Sequence, residues 1–100
     1  MDFVKVAALS ELNPGQSKAV EIAGKSIALF NVDGTVYALD NTCLHQGGPL
    51  GDGILEKDIV TCPWHMWEYN VRTGEYLGKP GLKVESYPVK IEGDEIKVAV

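Results

Sequence analysis

Cys43-Leu44-His45 and Cys62-Pro63-Trp64-His65 are the two stretches around which this chain of 100 residues is organised. They hold both of its cysteines and both of its histidines, so no other Cys or His competes as a ligand. Each stretch offers one thiolate and one imidazole from a tight turn, and 16 residues lie between His45 and Cys62. Two Cys and two His are the donor set of an iron–sulfur centre in which one iron takes both thiolates and the other both imidazoles. Zinc accepts the same four donors. Structural zinc sites, however, commonly pair C-x2-4-C with H-x3-5-H, whereas here each loop mixes one Cys with one His. A Cys–His hydrolase fits less well, since no Asp or Asn is placed to orient either imidazole and two equivalent pairs would be redundant. A Cys43–Cys62 disulfide would leave the His beside each cysteine unexplained.

Replacing two thiolates by neutral imidazoles makes an iron–sulfur site less negative. Its reduced state is then less penalised, and the potential rises into a range of roughly −150 to +300 mV. In this arrangement Cys43 and Cys62 hold the inner iron, and His45 and His65 hold the outer iron near the surface, where electrons enter and leave. Gly47 and Gly48 let the backbone approach the negatively charged sulfurs and donate N–H bonds to them. Pro80, between Gly78 and Gly81, offers either a lid on a third side or a plain turn.

Outward from the two loops, the pattern is that of strands and turns. Ile54-Leu55 and Ile59-Val60-Thr61, turned at Glu56-Lys57-Asp58, predict a short hairpin that brings the second ligand pair alongside the first. Trp67-Glu68-Tyr69-Asn70 alternates again, and Arg72-Thr73-Gly74 turns into Glu75-Tyr76-Leu77. Before the loops, Phe3-Val4-Lys5-Val6-Ala7, Lys18-Ala19-Val20-Glu21-Ile22, Ser26-Ile27-Ala28-Leu29-Phe30-Asn31 and Thr35-Val36-Tyr37-Ala38-Leu39 predict strands. Ser10-Glu11-Leu12 predicts a single helical turn, and Asp33-Gly34 is a hairpin turn. Residues 84–90 and 95–100 predict a closing hairpin around Glu92-Gly93-Asp94. No segment carries sustained helical periodicity. The expectation is an all-β chain: one domain over residues 1–100, an antiparallel sandwich or barrel base with a small loop-built lobe at about 42–69.

Composition narrows the partners. A hydrophobic content of 45% with 23% charged residues is that of a folded globular chain. No run of about 18 apolar residues exists to span a membrane, and the start, Met1-Asp2-Phe3-Val4-Lys5-Val6, does not read as a signal peptide. The expected location is the cytoplasm. A net charge of −5 disfavours nucleic acid and anionic membranes. It suits a basic patch on another protein, with Asp52, Glu56, Asp58 and Glu68 available to steer it or simply to be solvated.

Cys43-Leu44-His45-Gln46-Gly47-Gly48-Pro49-Leu50 and Cys62-Pro63-Trp64-His65 closely resemble the ligand loops of the Rieske iron–sulfur family. The resemblance extends over the chain and implies a Rieske fold holding one 2Fe–2S cluster through Cys43, His45, Cys62 and His65. The length is similar to that of the Rieske-type ferredoxins of bacterial ring-hydroxylating oxygenase systems. The resemblance implies a one-electron carrier, not itself an enzyme. It would pass electrons from an NAD(P)H-dependent flavoprotein ferredoxin reductase to a terminal oxygenase in the degradation of aromatic compounds. A monomer is expected, because a shuttle must leave each partner quickly. The alternatives are a small subunit of an assimilatory nitrite reductase, a component that often lacks the metal ligands, and a zinc-stabilised interaction module.

Respiratory members of the family carry an extra Cys in each loop, paired as a disulfide, at the positions of Gly48 and Trp64. They also place a Ser hydroxyl donor where this chain has Trp67. Those departures imply a potential at the low end of the range, about −150 mV. Tyr69 matches a family tyrosine whose hydroxyl bonds a cluster sulfur. Trp64, Met66 and Trp67 flank His65: Trp67 is expected to fill the core of the lobe, and Met66 to form an apolar docking surface. Gln46 is expected to be exposed beside His45, and Phe30 and Tyr37 to be core.

Overall fold

The computed structural model describes residues 3–42, 49–64, 66–79 and 81–99. Strands β2 (Ser17–Ile22), β3 (Lys25–Val32) and β4 (Thr35–Asp40) form the expected meander. At its second turn Asp33 and Gly34 both have positive φ, 51° and 95°, which is the twist a two-residue hairpin requires. Residues 27–32 of β3 are buried without a break, and the reason is that both faces of the strand are covered. Ala28, Phe30 and Val32 point into a core shared with Leu39, Leu50, Val60, Cys62, Tyr69, Val71 and Val84. Ile27 and Leu29 point the other way, into a second core with Ala7, Leu12, Val36, Ala38, Ile96 and Val98. Burying each such aliphatic or aromatic side chain contributes about 1.5–3 kcal/mol.

The second core is roofed by β1 (Phe3–Ala8), β10 (Glu95–Ala99) and β9 (Val89–Glu92), paired antiparallel in that order. The helical turn expected near Ser10 is a 3-10 turn at Leu9–Glu11. Glu11 Oε1 accepts the Ala8 N–H at 2.8 Å, and Glu11 Oε2 lies 3.1 Å from Lys18 Nζ, so one carboxylate ties this turn to β1 and β2.

The closing hairpin departs from expectation. Residues 84–90 are not one strand. Ser86–Tyr87 form β8, which pairs with β4 through Ala38↔Tyr87 and Leu39↔Ser86. The chain then breaks at Pro88 and continues as β9, which pairs with β10. Proline has no N–H to continue a ladder, so the segment changes sheets there.

The first core is covered by a third sheet, β5 (Ile54–Glu56), β6 (Ile59–Thr61) and β7 (Glu68–Asn70). Lys57, at φ 56°, makes its first turn. Val60 and Tyr69, register partners, face inward, while Thr61 and Glu68 face out. Isolated bridges Tyr69↔Tyr76 and Glu75↔Lys83 extend the sheet's edge. Among the described residues no helix is long and apolar enough to cross a membrane.

Candidate metal centre

Cys62 follows directly on β6, and its side chain takes the inward side next in the alternation after outward-facing Thr61. It is completely buried in the first core. Its N–H donates to the Trp67 carbonyl at 2.7 Å, closing residues 62–67 into a tight loop. Met66 within that loop has a left-handed φ of 61°. The loop thus has a buried end at Cys62 and an exposed side, where Trp64 and Met66 are 48% and 64% accessible.

The residues flanking the first expected ligand loop are bonded to one another and to the β base. Thr42 bridges Pro49, and the Leu50 N–H donates to the Asn41 carbonyl at 2.8 Å. Asn41 does more than that: its Oδ1 accepts the Gly51 N–H at 2.6 Å, and its Nδ2 donates to Ser26 Oγ at 3.0 Å. Ser17 Oγ donates to the Gly51 carbonyl at 2.9 Å, so the returning arm is pinned to both β2 and β3. At Gly53 an added Cβ would lie 2.3 Å from the Thr61 carbonyl oxygen. The arm therefore runs flush against β6, one residue before Cys62, and the two ligand loops spring from adjacent backbone. Cys43, His45, Gln46, Gly47, Gly48, His65 and Pro80, all singled out in the sequence, lie outside the described residues.

Trp67 fills the lobe as expected. It packs on the first core and stacks on Tyr76 with ring centroids 4.1 Å apart and planes 8° from parallel. Tyr69 is wholly buried and meets Tyr76 at 5.6 Å. Phe30 is core, whereas Tyr37 is only partly buried, with the Arg72 guanidinium 5.6 Å above its ring. Asp52, Glu56 and Glu68 are exposed, but Asp58 is held by Arg72 Nε at 3.3 Å and is partly neutralised. Asn41, Gly53 and Leu77 escape sequence reasoning. Leu77 is 51% exposed and shares a hollow with Met66, and its one signal is an apolar residue stranded between Tyr76 and Gly78.

Displaced titrations lie on the β base. Glu11 sits below the ordinary carboxylate range because it accepts the Ala8 N–H and pairs with Lys18. Glu92 is lowered and Lys97 raised by their mutual hydrogen bond. Burial, with Asp40 and Glu85 nearby, pushes the Tyr87 phenol up. Among the described residues no group of three or more His, Cys, Asp or Glu is placed to hold a metal.

Residues 2–88 match the family model for the Rieske [2Fe-2S] domain. The chain belongs to the Rieske family. The fold, antiparallel sheets under a small third sheet, is the Rieske fold, and the cofactor is one Rieske-type 2Fe–2S cluster. The donor chemistry fits that group: Cys62 supplies a sulfur donor at the root of a closed loop, in an apolar shell that limits the access of water. This Rieske chain is 37% identical over 97 residues to the ferredoxin component of the naphthalene 1,2-dioxygenase system of Pseudomonas aeruginosa, covering 96% of this chain and 93% of that one. It is similar to the solved ferredoxin of carbazole 1,9a-dioxygenase from Nocardioides aromaticivorans, with a TM-score of 0.90, 33% identity, and 99% and 98% of the two chains covered. A solved complex of reduced oxygenase and oxidized ferredoxin in carbazole 1,9a-dioxygenase also matches, at a TM-score of 0.89 and 31% identity over 97% of this chain and 92% of that one.

Proposed function

We propose that this Rieske chain is the ferredoxin of an aromatic-ring oxygenase system. It takes one electron from an NAD(P)H-dependent flavoprotein ferredoxin reductase and delivers it to a terminal oxygenase, and performs no catalysis of its own. The observation that carries this is the likeness, over nearly the whole length of both chains, to ferredoxin components of dioxygenase systems. The same relatives favour a shuttle over a small subunit of a nitrite reductase.

Cys43 and Cys62 would hold the inner iron, and His45 and His65 the outer. When bound, the cluster supplies reversible one-electron storage at a potential raised by its imidazoles. The chain's own residues do the rest. The Cys62–Trp67 backbone bond closes the second loop, and Asn41 fixes the neck of the first. Exposed Trp64 and Met66, either side of His65, offer the apolar contact through which a partner reaches the outer ligands. We take residues 1–100 as one domain with its cluster-holding lobe at about 42–69, acting as a monomer in the cytoplasm. The small sheet within that span supports the lobe.

The test is ligand by ligand. Cys43→Ala, Cys62→Ala, His45→Ala and His65→Ala should each abolish the visible spectrum of the purified protein. A spectrum that survives in both histidine variants would overturn the assignment.

A further inference from the structure

We propose that Trp67 and Tyr76, seated on Gly78, are positioning residues that wall the buried end of the second ligand loop off from water and thereby hold the reduction potential down. This rests on Cys62 being a ligand, as assigned above.

Four observations build the wall. The Trp67 carbonyl accepts the Cys62 N–H at 2.7 Å, so Trp67 is fixed at the closing point of the loop. Its ring lies on that of Tyr76 at 4.1 Å, nearly parallel. Tyr76 is itself held from three sides. Its N–H donates to the Leu82 carbonyl at 2.9 Å, it bridges Tyr69, and its ring meets that of Tyr69 at 5.6 Å. Finally, a Cβ at residue 78 would fall 2.3 Å from the Tyr76 hydroxyl oxygen and 2.4 Å from Cζ. Only glycine lets the phenol lie across the backbone there and keep its place in the stack.

The position of solvent gives the stack its consequence. A hollow of about 350 Å³, lined by Met66, Trp67, Glu68, Tyr76, Leu77 and Gly78, opens on one side of the pair. Cys62 is absent from that lining and has no accessible surface, although Trp64 and Met66 on the same loop are among the most exposed apolar side chains. Both aromatic residues line the hollow and pack against the core in which Cys62 is buried. Reduction adds one electron and one negative charge to the site, with no bond made or broken. Water would stabilise that added charge, and a dry wall withholds the stabilisation.

The experiment is a mediated titration of the cluster-loaded protein with dithionite as electron donor, alongside the rate at which its visible spectrum bleaches in air with a chelator. Trp67→Ala and Gly78→Ala should both move the midpoint upward and speed bleaching, while Trp67→Phe, which keeps a stacking ring, should stay near the parent. If Trp67→Ala takes up no cluster, Gly78→Ala decides, since it alters no residue of the ligand loop. A loaded Gly78→Ala protein whose midpoint is unchanged or lowered overturns the proposal. Failure of the ligand assignment would show separately, as a visible spectrum retained by Cys62→Ala.

Discussion

Trp67 occupies a position where respiratory relatives place a serine hydroxyl, and it spends its side chain differently. It offers a stacking face to Tyr76. Together with Gly48 and Trp64, where those relatives carry the disulfide, it argues for a site with fewer devices favouring the reduced state. The expected midpoint is about −150 mV, the low end for Rieske centres, and a redox titration returning a value above about +100 mV would refute it. At this scale Cys43, His45, Cys62 and His65 stand out as the proposed ligands because their types are rare in the chain and their spacing is restrictive. Asn41 and Gly53 were not. Asn41 acts by bonding residues 10 and 15 positions away, and Gly53 by meeting the Thr61 carbonyl, and neither approach leaves a local pattern.

Elements are legible where a strand has one environment, and less so where it has two. The meander β2–β4 follows from its turns and apolar runs, and the unbroken apolar stretch of β3 fits a strand buried on both faces. The stretch read as one strand over residues 84–90 serves two sheets, because Pro88 interrupts its ladder. The Leu9–Glu11 turn offers a test at this scale. Glu11 titrates below its ordinary value when folded, held by the Ala8 N–H and Lys18. A carboxylate whose folded value is depressed contributes stability that is complete above its unfolded value and is lost as pH falls through the folded one. Glu11→Gln should therefore lower the melting temperature at pH 7 and flatten its decline on acidification. Melting curves of both proteins between about pH 7 and pH 3, spanning the carboxylate range, would check this. Equal losses at every pH would contradict it.

For the molecule as a whole, two cores share β3, one roofed by β1, β10 and β9, the other by the sheet that roots the ligand loops. Cys62 is thus mounted on a packed layer. The net charge of −5 and the exposed Asp52, Glu56 and Glu68 predict steering toward basic partners. Electron transfer from the reductase, or onward to the oxygenase, followed by stopped-flow absorbance, should slow markedly between about 0.01 M and 1 M salt, as the Debye length shortens from roughly 30 to 3 Å. A rate indifferent to salt would count against it.

By itself the sequence determined the family, the all-β class, the meander and the short hairpin that leads to Cys62, and it proposed the donor set. Each depends on residue type at close spacing. Tertiary structure alone decided that Ser86–Tyr87 and Val89–Glu92 join different sheets, that Asn41 bonds the returning arm at Gly51, and that Trp67 meets Tyr76 over Gly78. These are choices of partner among backbone and side-chain groups distant in sequence. They are settled by burial and hydrogen-bond satisfaction across the whole fold.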